Sequence, residues 1–253
     1  MATEFASATD LGRRREHNED AVLVLPEASL AVVCDGMGGH EAGEVASRIG
    51  VETVQRFFEL SRDPRTTWPF GYDRRLPEPV NLLSIAAQWA NQRIREEAER
   101  ESGRKRGMGT TFVGCILSDG KATFAWVGDS RGYLFRRGVL RAATRDHSLV
   151  NELRKSGHLT DEEIESFPHK NVITRALGMA PEIEVDFNTL DLEPGDICLV
   201  CSDGLTGMVD EPGIAAILAE ENELAAAAGR LIERANGNGG FDNVTVALAR
   251  FAP

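Results

Sequence analysis

Short apolar runs that end on aspartate and glycine limit the fold of this chain more than any other feature. "AVVCDGMGGH", "FAWVGDSRG" and "ICLVCSDGLTG" each lead an apolar run into a carboxylate, and "GGFDNVTVALARF" shows a variant of the pattern. Runs of this length, rich in β-branched and aromatic residues, are typical of β-strands. They predict strands over residues 21–25, 30–34, 111–117, 122–128, 132–135, 196–201 and 244–251. The linkers "LSDGK" and "GDSRG" have hairpin length, which favours antiparallel pairing across each.

Three longer stretches have the pattern of amphipathic helices. Residues 41–60 and 80–101 carry apolar side chains at helical spacing, and residues 212–236 begin at a proline and end before a glycine. Hairpin strands with long helices between them predict an α+β fold in which helices pack over antiparallel sheet.

The predicted organisation is one domain over residues 1–253, a length that one hydrophobic core can serve. Residues 61–79 are rich in proline and arginine and predict a loop. Residues 146–175 are polar and irregular, and predict a small helical flap between strands.

Composition excludes two classes of partner. Lysine and arginine number 28 against 40 acidic residues, a net charge of −12, which argues against a nucleic-acid binder because such proteins depend on basic contacts to phosphate. No apolar run approaches the ~20 residues of a membrane span. The first twenty residues contain no apolar signal region, so we expect a cytoplasmic protein without a membrane partner.

The four cysteines predict no disulfide and no zinc site. Cys198 and Cys201 have the C-x-x-C spacing, but they lie in a strand-like run in which residues i and i+3 point to opposite faces. The better interpretation is buried, reduced cysteine.

The carboxylates at the strand ends indicate a site for hard cations. Several such groups converging on one point would raise each other's pKa values, and a divalent ion relieves that repulsion. Oxygen donors favour Mg²⁺ or Mn²⁺, and the histidines lack the spacing of a zinc site. A single Asp-Gly pair would indicate only a turn, but four related copies favour a shared site, where Gly36 and Gly38 leave room for an ion.

Other phosphate chemistries lack their motifs. The chain has no Walker loop, no dinucleotide fingerprint, no cysteine and arginine bracketing five residues and no G-x-S-x-G elbow. Metal-activated water therefore remains, with one of Arg13, Arg14 and Arg15 placed to bind phosphate oxygens. For Arg13 and Arg14 a basic surface patch is the preferred interpretation.

The ordered motifs "TDLGRRREHNEDA", "VCDGMGGHEAGEVAS", "GMGTTF", "VGDSRGYLFRRG", "TRDHSLV", "ITRALG", "CSDGLTGMV" and "DNVTV" resemble those of bacterial metal-dependent serine/threonine phosphatases, the protein phosphatase 2C (PPM) family. The resemblance runs from about residue 5 to 251. It implies a central β-sandwich of two antiparallel sheets flanked on both sides by helix pairs, with the metal centre at one end.

The resemblance also implies the roles of individual residues. It makes Asp35 the bridging ligand of two Mg²⁺ or Mn²⁺ ions, with a contribution from the carbonyl of Gly36. Asp203 and Asp242 would complete the shell of the first metal, and Glu19 and Asp20 would hold the second largely through water. Arg15 would bind the phosphate, and Asp129 with Asp203 would hold a weaker third metal. In that family a water that bridges the two ions attacks phosphorus without a phosphoenzyme.

One position departs from the better-known eukaryotic pattern, which has a histidine directly after the Asp-Gly pair. Here Met37 takes that place and His40 follows three residues later, as in bacterial relatives. Whether His40 or a metal-bound water protonates the leaving group stays open, as does the alternative that His40 only caps a helix.

The leading functional hypothesis is a phosphoserine/phosphothreonine protein phosphatase that opposes a eukaryotic-like serine/threonine kinase and acts as a monomer. A regulatory binding module and a hydrolase of small phosphate esters on the same fold are the alternatives. A binding module would lack at least one of the acids that the resemblance places on the metals, but Asp35, Asp203 and Asp242 are all present. The protein substrate and the choice between Mg²⁺ and Mn²⁺ stay open.

Overall fold

A computed structural model describes residues 3–38, 42–63, 67, 70–100, 107–155 and 172–252. The strands are β1 (Glu4–Asp10), β2 (Asp20–Leu25), β3 (Leu30–Met37), β4 (Gly109–Thr110), β5 (Phe112–Ser118), β6 (Lys121–Val127), β7 (Arg131–Arg136), β8 (Val139–Ala142), β9 (Asp186–Asp191), β10 (Ile197–Cys201) and β11 (Val244–Arg250). The α-helices are α1 (Ala42–Ser61), α2 (Glu78–Arg100), α3 (Leu149–Lys155), α4 (Asp203–Thr206), α5 (Glu211–Glu220) and α6 (Leu224–Gly237), and Pro26–Ala28 form one 3₁₀ turn.

The strands form two sheets in which neighbouring strands run antiparallel. One has the order β1-β11-β10-β7-β8, and the other has the order β2-β3-β5-β6-β9, with the short β4 paired to β3. Buried residues such as Val33, Val113 and Val200 fill the space between the sheets. The predicted antiparallel sandwich is confirmed.

A helix pair covers the outer face of each sheet. Phe57 of α1 and Ile94 of α2 share a buried cluster with Val32 of β3. Ile217 of α5 and Leu231 of α6 share another with Leu199 of β10. The α+β layering, helices over both faces of the sandwich, is therefore as predicted.

Two local predictions about the strands are wrong. Asp35 does not end its strand, because β3 continues to Met37 and pairs there with β4. The linker "GDSRG" is not a hairpin, because β6 and β7 belong to different sheets and the chain crosses between layers there. The crossing places Asp129 at the end of the sandwich rather than in a turn along one sheet.

The predicted helix over residues 212–236 is in fact two helices. α5 ends at Glu220, Glu221 has an extended backbone (φ −95°, ψ 120°), and α6 starts at Leu224. The break lets two shorter helices lay their apolar faces on the same sheet, where both contribute to one buried cluster.

The predicted flap is described only at its base and first helix. Ser148 and Ile173 form an isolated antiparallel bridge, the amide of Leu149 donates to the carbonyl of Val172 (2.9 Å), and α3 follows. Residues 156–171 lie outside the described part of the chain. No helix among the described residues has the length and apolar character to cross a membrane.

The four cysteines are buried and free. Cys198 packs between the sheets and Cys201 packs under the helices on the other face, so their side chains diverge. The interpretation of buried, reduced cysteine is confirmed.

Candidate metal centre

Two of the predicted carboxylates face each other on neighbouring strands. Asp20 opens β2 and lies directly opposite Asp35 of β3 in the antiparallel register. Directly opposed residues share a face and have Cβ atoms about 5 Å apart. The amide of Gly36 donates to the carbonyl of Glu19 (3.0 Å), which holds the start of β2 against β3.

Two further carboxylates come from the other sheet. Asp203 follows β10 at the first position of α4, and Asp242 precedes β11, the hydrogen-bonded neighbour of β10. The buried hydroxyl of Ser202 donates to Oδ2 of Asp20 (2.7 Å) and accepts from the amide of Thr245 (3.0 Å). Ser202 therefore links the carboxylate of Asp20 in one sheet to the backbone of β11 in the other.

The carboxylates perturb one another strongly. Burial, and then the charge of Asp20, Asp203, Asp129 and Asp242, raise the pKa of Asp35 well above its usual value. Burial is also the main reason why the pKa of Asp20 rises to about 7, against the opposing effect of its hydrogen bond from Ser202. Each group is an acid that does not ionise easily among its neighbours.

Asp129 and Asp203 belong to the same electrostatic cluster. Burial followed by the charges of Asp203 and Asp146 raises the pKa of Asp129 to about 7. Burial and then Asp242 raise the pKa of Asp203. Crowding of this kind is a frequent mark of a functional site.

The chemistry of these groups fits a hard divalent cation. Oδ1 of Asp20 and Oδ1 of Asp129 are buried and have no hydrogen-bond partner among the described residues. A buried oxygen without a donor is costly, and a cation would satisfy it. Among the residues described, no three acidic, histidine or cysteine side chains are already arranged as a ready-made set of ligands.

Arg15 lies beside the cluster and remains accessible. Its Nη2 donates to Oδ2 of Asp242 at 2.7 Å, and 46% of its side chain is exposed. The hydrogen bond to Asp242 raises the pKa of Arg15, and the charges of Glu19 and Asp35 add to the effect. A charged guanidinium at this position can bind phosphate oxygens.

A cavity of about 380 Å³ adjoins the cluster on the side of the flap. Asp129 and Asp203 line it, together with the start of the flap. Arg131 closes one wall through a bidentate pair with Asp146, with nitrogen–oxygen distances of 2.7 and 2.9 Å. The space beside Asp129 is therefore bounded by charged groups with fixed geometry.

The structure brings together every predicted site residue that it describes: Arg15, Glu19, Asp20, Asp35, Gly36, Asp129, Asp203 and Asp242. His40 lies outside the described residues, so its role as general acid stays a prediction.

Sequence reasoning missed the hydroxyl and amide groups that hold the carboxylates. Besides Ser202, these are Thr111, whose Oγ accepts from the amide of Asp35 (2.9 Å), and Asn243, whose Oδ1 accepts from the amide of Glu19 (2.8 Å). All three lie within the motifs "CSDG", "GTTF" and "DNVT". The signal was their position beside the predicted acids, but only the fold shows which backbone groups they reach.

The protein phosphatase 2C family model matches residues 12–235 of this chain, most of its length. The chain belongs to the protein phosphatase 2C family, as its motifs indicated.

Particular relatives agree with that assignment. The serine/threonine phosphatase Stp of Listeria monocytogenes is 39% identical over 256 residues, which cover 98% of this chain and 95% of that protein. The crystal structure of the Mycobacterium tuberculosis serine/threonine phosphatase PstP/Ppp superposes with a TM-score of 0.85 at 34% identity and covers 100% of both chains. A structure of the PstP catalytic domain in complex with two manganese ions has a TM-score of 0.81 at 34% identity and covers 99% of each chain.

Proposed function

We propose that this chain removes phosphate from phosphoserine and phosphothreonine in proteins, with two Mg²⁺ or Mn²⁺ ions held by the carboxylate cluster. The observation that carries the proposal is the convergence of Asp20, Asp35, Asp203 and Asp242 from both sheets beside the accessible Arg15. Family membership and the manganese-bound relative support it.

The position of each residue in the cluster suggests which metal ion it would bind. The charges of four neighbouring acids raise the pKa of Asp35, and this carboxylate would hold both ions together with the carbonyl of Gly36. Asp203 and Asp242 would complete one side. Glu19 and Asp20 would hold the second ion, and Asp129 with Asp203 a third, weaker one. Bound there, such ions supply Lewis-acid activation of water and neutralise charge on the phosphoryl group.

Arg15 would orient the phosphoryl group. Its pairing with Asp242 holds the guanidinium beside the cluster, while its exposed edge can donate to two phosphate oxygens. Preorganised donors of this kind stabilise the charge that develops in phosphoryl transfer. Either His40, which lies outside the described residues, or a metal-bound water would protonate the leaving group.

We also propose that the chain is a single-domain monomer in the cytoplasm, with the flap at about residues 146–175, and that its substrates include a serine/threonine kinase and that kinase's targets. The net charge of −12 supports protein over nucleic-acid partners. The inner core shared by the two sheets supports one domain.

The test is phosphate release from a phosphothreonine peptide in EDTA, Mg²⁺ or Mn²⁺, with Asp35→Asn compared with Asp119→Asn. Both changes remove one carboxylate, but Asp119 is exposed in the β5–β6 turn, where its backbone has a positive φ that asparagine also tolerates. We expect activity only with metal, a loss of about 10²–10³-fold or more in Asp35→Asn, and wild-type rates in the control.

Three other outcomes would contradict the proposal. Activity that is unaffected by EDTA, or by Asp35→Asn, would exclude the metal mechanism. An inactive wild type that still binds the peptide would favour the regulatory binding module. Faster hydrolysis of nucleotides or sugar phosphates than of any phosphopeptide would favour a hydrolase of small esters.

A further inference from the structure

Two loops beside the carboxylates are joined by a series of contacts in register. The amide of Arg13 donates to the carbonyl of Gly240 (2.7 Å), the guanidinium of Arg14 lies 5.7 Å from the ring centroid of Phe241, and Arg15 pairs with Asp242. Three consecutive residues of the first loop therefore contact three consecutive residues of the second loop in the same order.

A buried side chain holds the two loops in place. Nδ2 of Asn243 donates to the carbonyls of Leu11 and His17, both at 2.9 Å, and its Oδ1 accepts from the amide of Glu19. Asn243 is itself buried. The surface formed by these loops is thus fixed by the same framework that holds the candidate metal ligands.

The outer part of this surface, which we call the rim, consists of Arg13, Arg14 and Phe241. Phe241 is 57% exposed, although it directly precedes a candidate metal ligand. Arg13 and Arg14 are also exposed. The charge of Arg13 contributes to a lowered pKa at Asp10, and the described residues place no acidic side chain within ion-pair distance of Arg14. The rim therefore presents an aromatic face and two cationic groups in a chain with a net charge of −12.

We propose that the rim binds the peptide segment flanking the phosphorylated residue and favours substrates with an acidic side chain in that segment. This inference rests on the proposed phosphatase function. A phosphate held at Arg15 brings neighbouring residues to the rim, because an extended peptide advances about 3.3 Å per residue and consecutive Cα atoms lie 3.8 Å apart.

The chemistry of the rim matches such a segment. The guanidinium of Arg14 lies 5.7 Å from the ring centroid of Phe241, and its N–H donors can pair with a carboxylate. The open face of Phe241 offers apolar contact to a neighbouring side chain. A longer polyanion such as nucleic acid would need an extended basic surface, which the acidic chain does not favour.

The experiment compares kcat/KM for three phosphothreonine peptides of equal length whose flanking residues are acidic, neutral or basic. The proteins are wild type, Arg14→Glu, Arg14→Lys and Phe241→Ala. The controls are Arg141→Glu and Phe187→Ala, which change an exposed arginine of β8 and an exposed phenylalanine of β9, away from the rim.

We expect wild type to prefer the acidic peptide over the basic one by about two- to fivefold, the range of one exposed ion pair, and the preference to fall in high salt. Arg14→Glu should reverse the order, Arg14→Lys should keep it, and Phe241→Ala should raise KM for all three peptides. The two control variants should keep the wild-type order.

Equal kcat/KM for the three peptides in wild type, or an order left unchanged by Arg14→Glu, would overturn the inference. If the stacking served only to hold the loops, these variants would lower kcat equally for all peptides and leave the order intact, which also overturns it. Wild type that releases phosphate from none of the peptides would instead refute the proposed function on which the inference rests.

Discussion

Asp20 shows at the scale of one residue how this site is built. One of its oxygens accepts a hydrogen bond from Ser202, while the other is buried without a partner among the described residues. Its pKa of about 7 reflects burial more than any single neighbour. One oxygen of Asp20 is therefore held by a hydrogen bond, while the other is available to a cation, as expected of a metal ligand.

The hydroxyl of Ser202 should contribute to both the stability of the fold and the metal affinity of the site. Ser202→Ala removes the donor to Asp20 and leaves the buried amide of Thr245 without an acceptor, so we expect a loss of about 1–3 kcal/mol in the free energy of unfolding. The pKa of Asp20 should rise further, because the hydrogen bond from Ser202 lowers it, and metal affinity should weaken.

The measurement is urea unfolding together with a Mn²⁺ titration followed by the thermal midpoint. Ser118→Ala, at the partly exposed end of β5, is the matched control and should change neither. A Ser202→Ala protein with wild-type stability and wild-type metal affinity would show that the hydroxyl does not hold the cluster.

At the scale of elements, the sequence predicted the apolar strands better than the polar ones. The buried β5, β6, β10 and β11 were found within a residue or two of their bounds because their runs are apolar throughout. No strand was predicted over β1, β8 or β9. β1 and β9, "EFASATD" and "DFNTLD", contain only exposed and partly buried residues, and each pairs with a strand that is distant in the sequence.

The sequence also did not show where the chain crosses from one sheet to the other. The linker between β6 and β7 has hairpin length, and nothing in its residues distinguishes a hairpin from a step between two stacked sheets. β3 was expected to stop at Asp35 because aspartate is rare inside strands, but Asp35 donates from its backbone to Thr111 and stays in the sheet.

The packing of β3 against α1 leads to a prediction about Gly36. A Cβ at this position would collide with the carbonyl of Gly43 and lie 2.6 Å from the carbonyl of Glu19, both backbone atoms that cannot turn away. We expect Gly36→Ala to cost about 1–3 kcal/mol in the free energy of unfolding, as overpacking does. It should also weaken Mn²⁺ binding, because α1 and β2 must separate from β3.

Gly229→Ala is the matched control, since nothing lies within 4 Å of a Cβ there and the residue is inside α6. Replacing a helical glycine by alanine should stabilise the fold by about 0.5–1 kcal/mol. Chemical denaturation of both variants decides the matter. Equal stability of Gly36→Ala and wild type would mean that β3 and α1 can move apart at no cost.

For the whole molecule, the site exists only when the sandwich closes. Asp20 and Asp35 come from one sheet, and Asp203 and Asp242 come from the ends of strands in the other. The hydroxyl of Ser202 links Asp20 to the backbone of β11 across the two sheets. The sequence could predict the set of acids through its motif order, but not that the site lies across two layers. The hydrogen-bond partners of these acids also depend on how distant strands are paired, and the spacing of apolar residues in the sequence does not give that pairing.

Closing the sandwich brings carboxylates together, so without metal the free energy of unfolding should fall as the pH rises above the usual pKa of aspartate. The pKa values of Asp20 and Asp129 rise from 3.8 to about 7 in the folded state. The folded chain therefore binds more protons than the unfolded chain between about pH 4 and 7, and its stability falls as pH rises through that window.

In EDTA we expect the free energy of unfolding to be greater at pH 5.5 than at pH 8 by at least about 1 kcal/mol. Saturating Mn²⁺ should offset much of this loss at pH 8, because a ligand at 100 times its Kd adds about 2.7 kcal/mol. Asp35→Asn should reduce the pH dependence in EDTA, because it removes a carboxyl group whose own pKa is raised, and it should lose most of the Mn²⁺ effect. Urea unfolding at the two pH values, with and without metal, measures all three. A metal-free wild type that grows more stable from pH 5.5 to 8 would mean that its acids ionise without opposing one another.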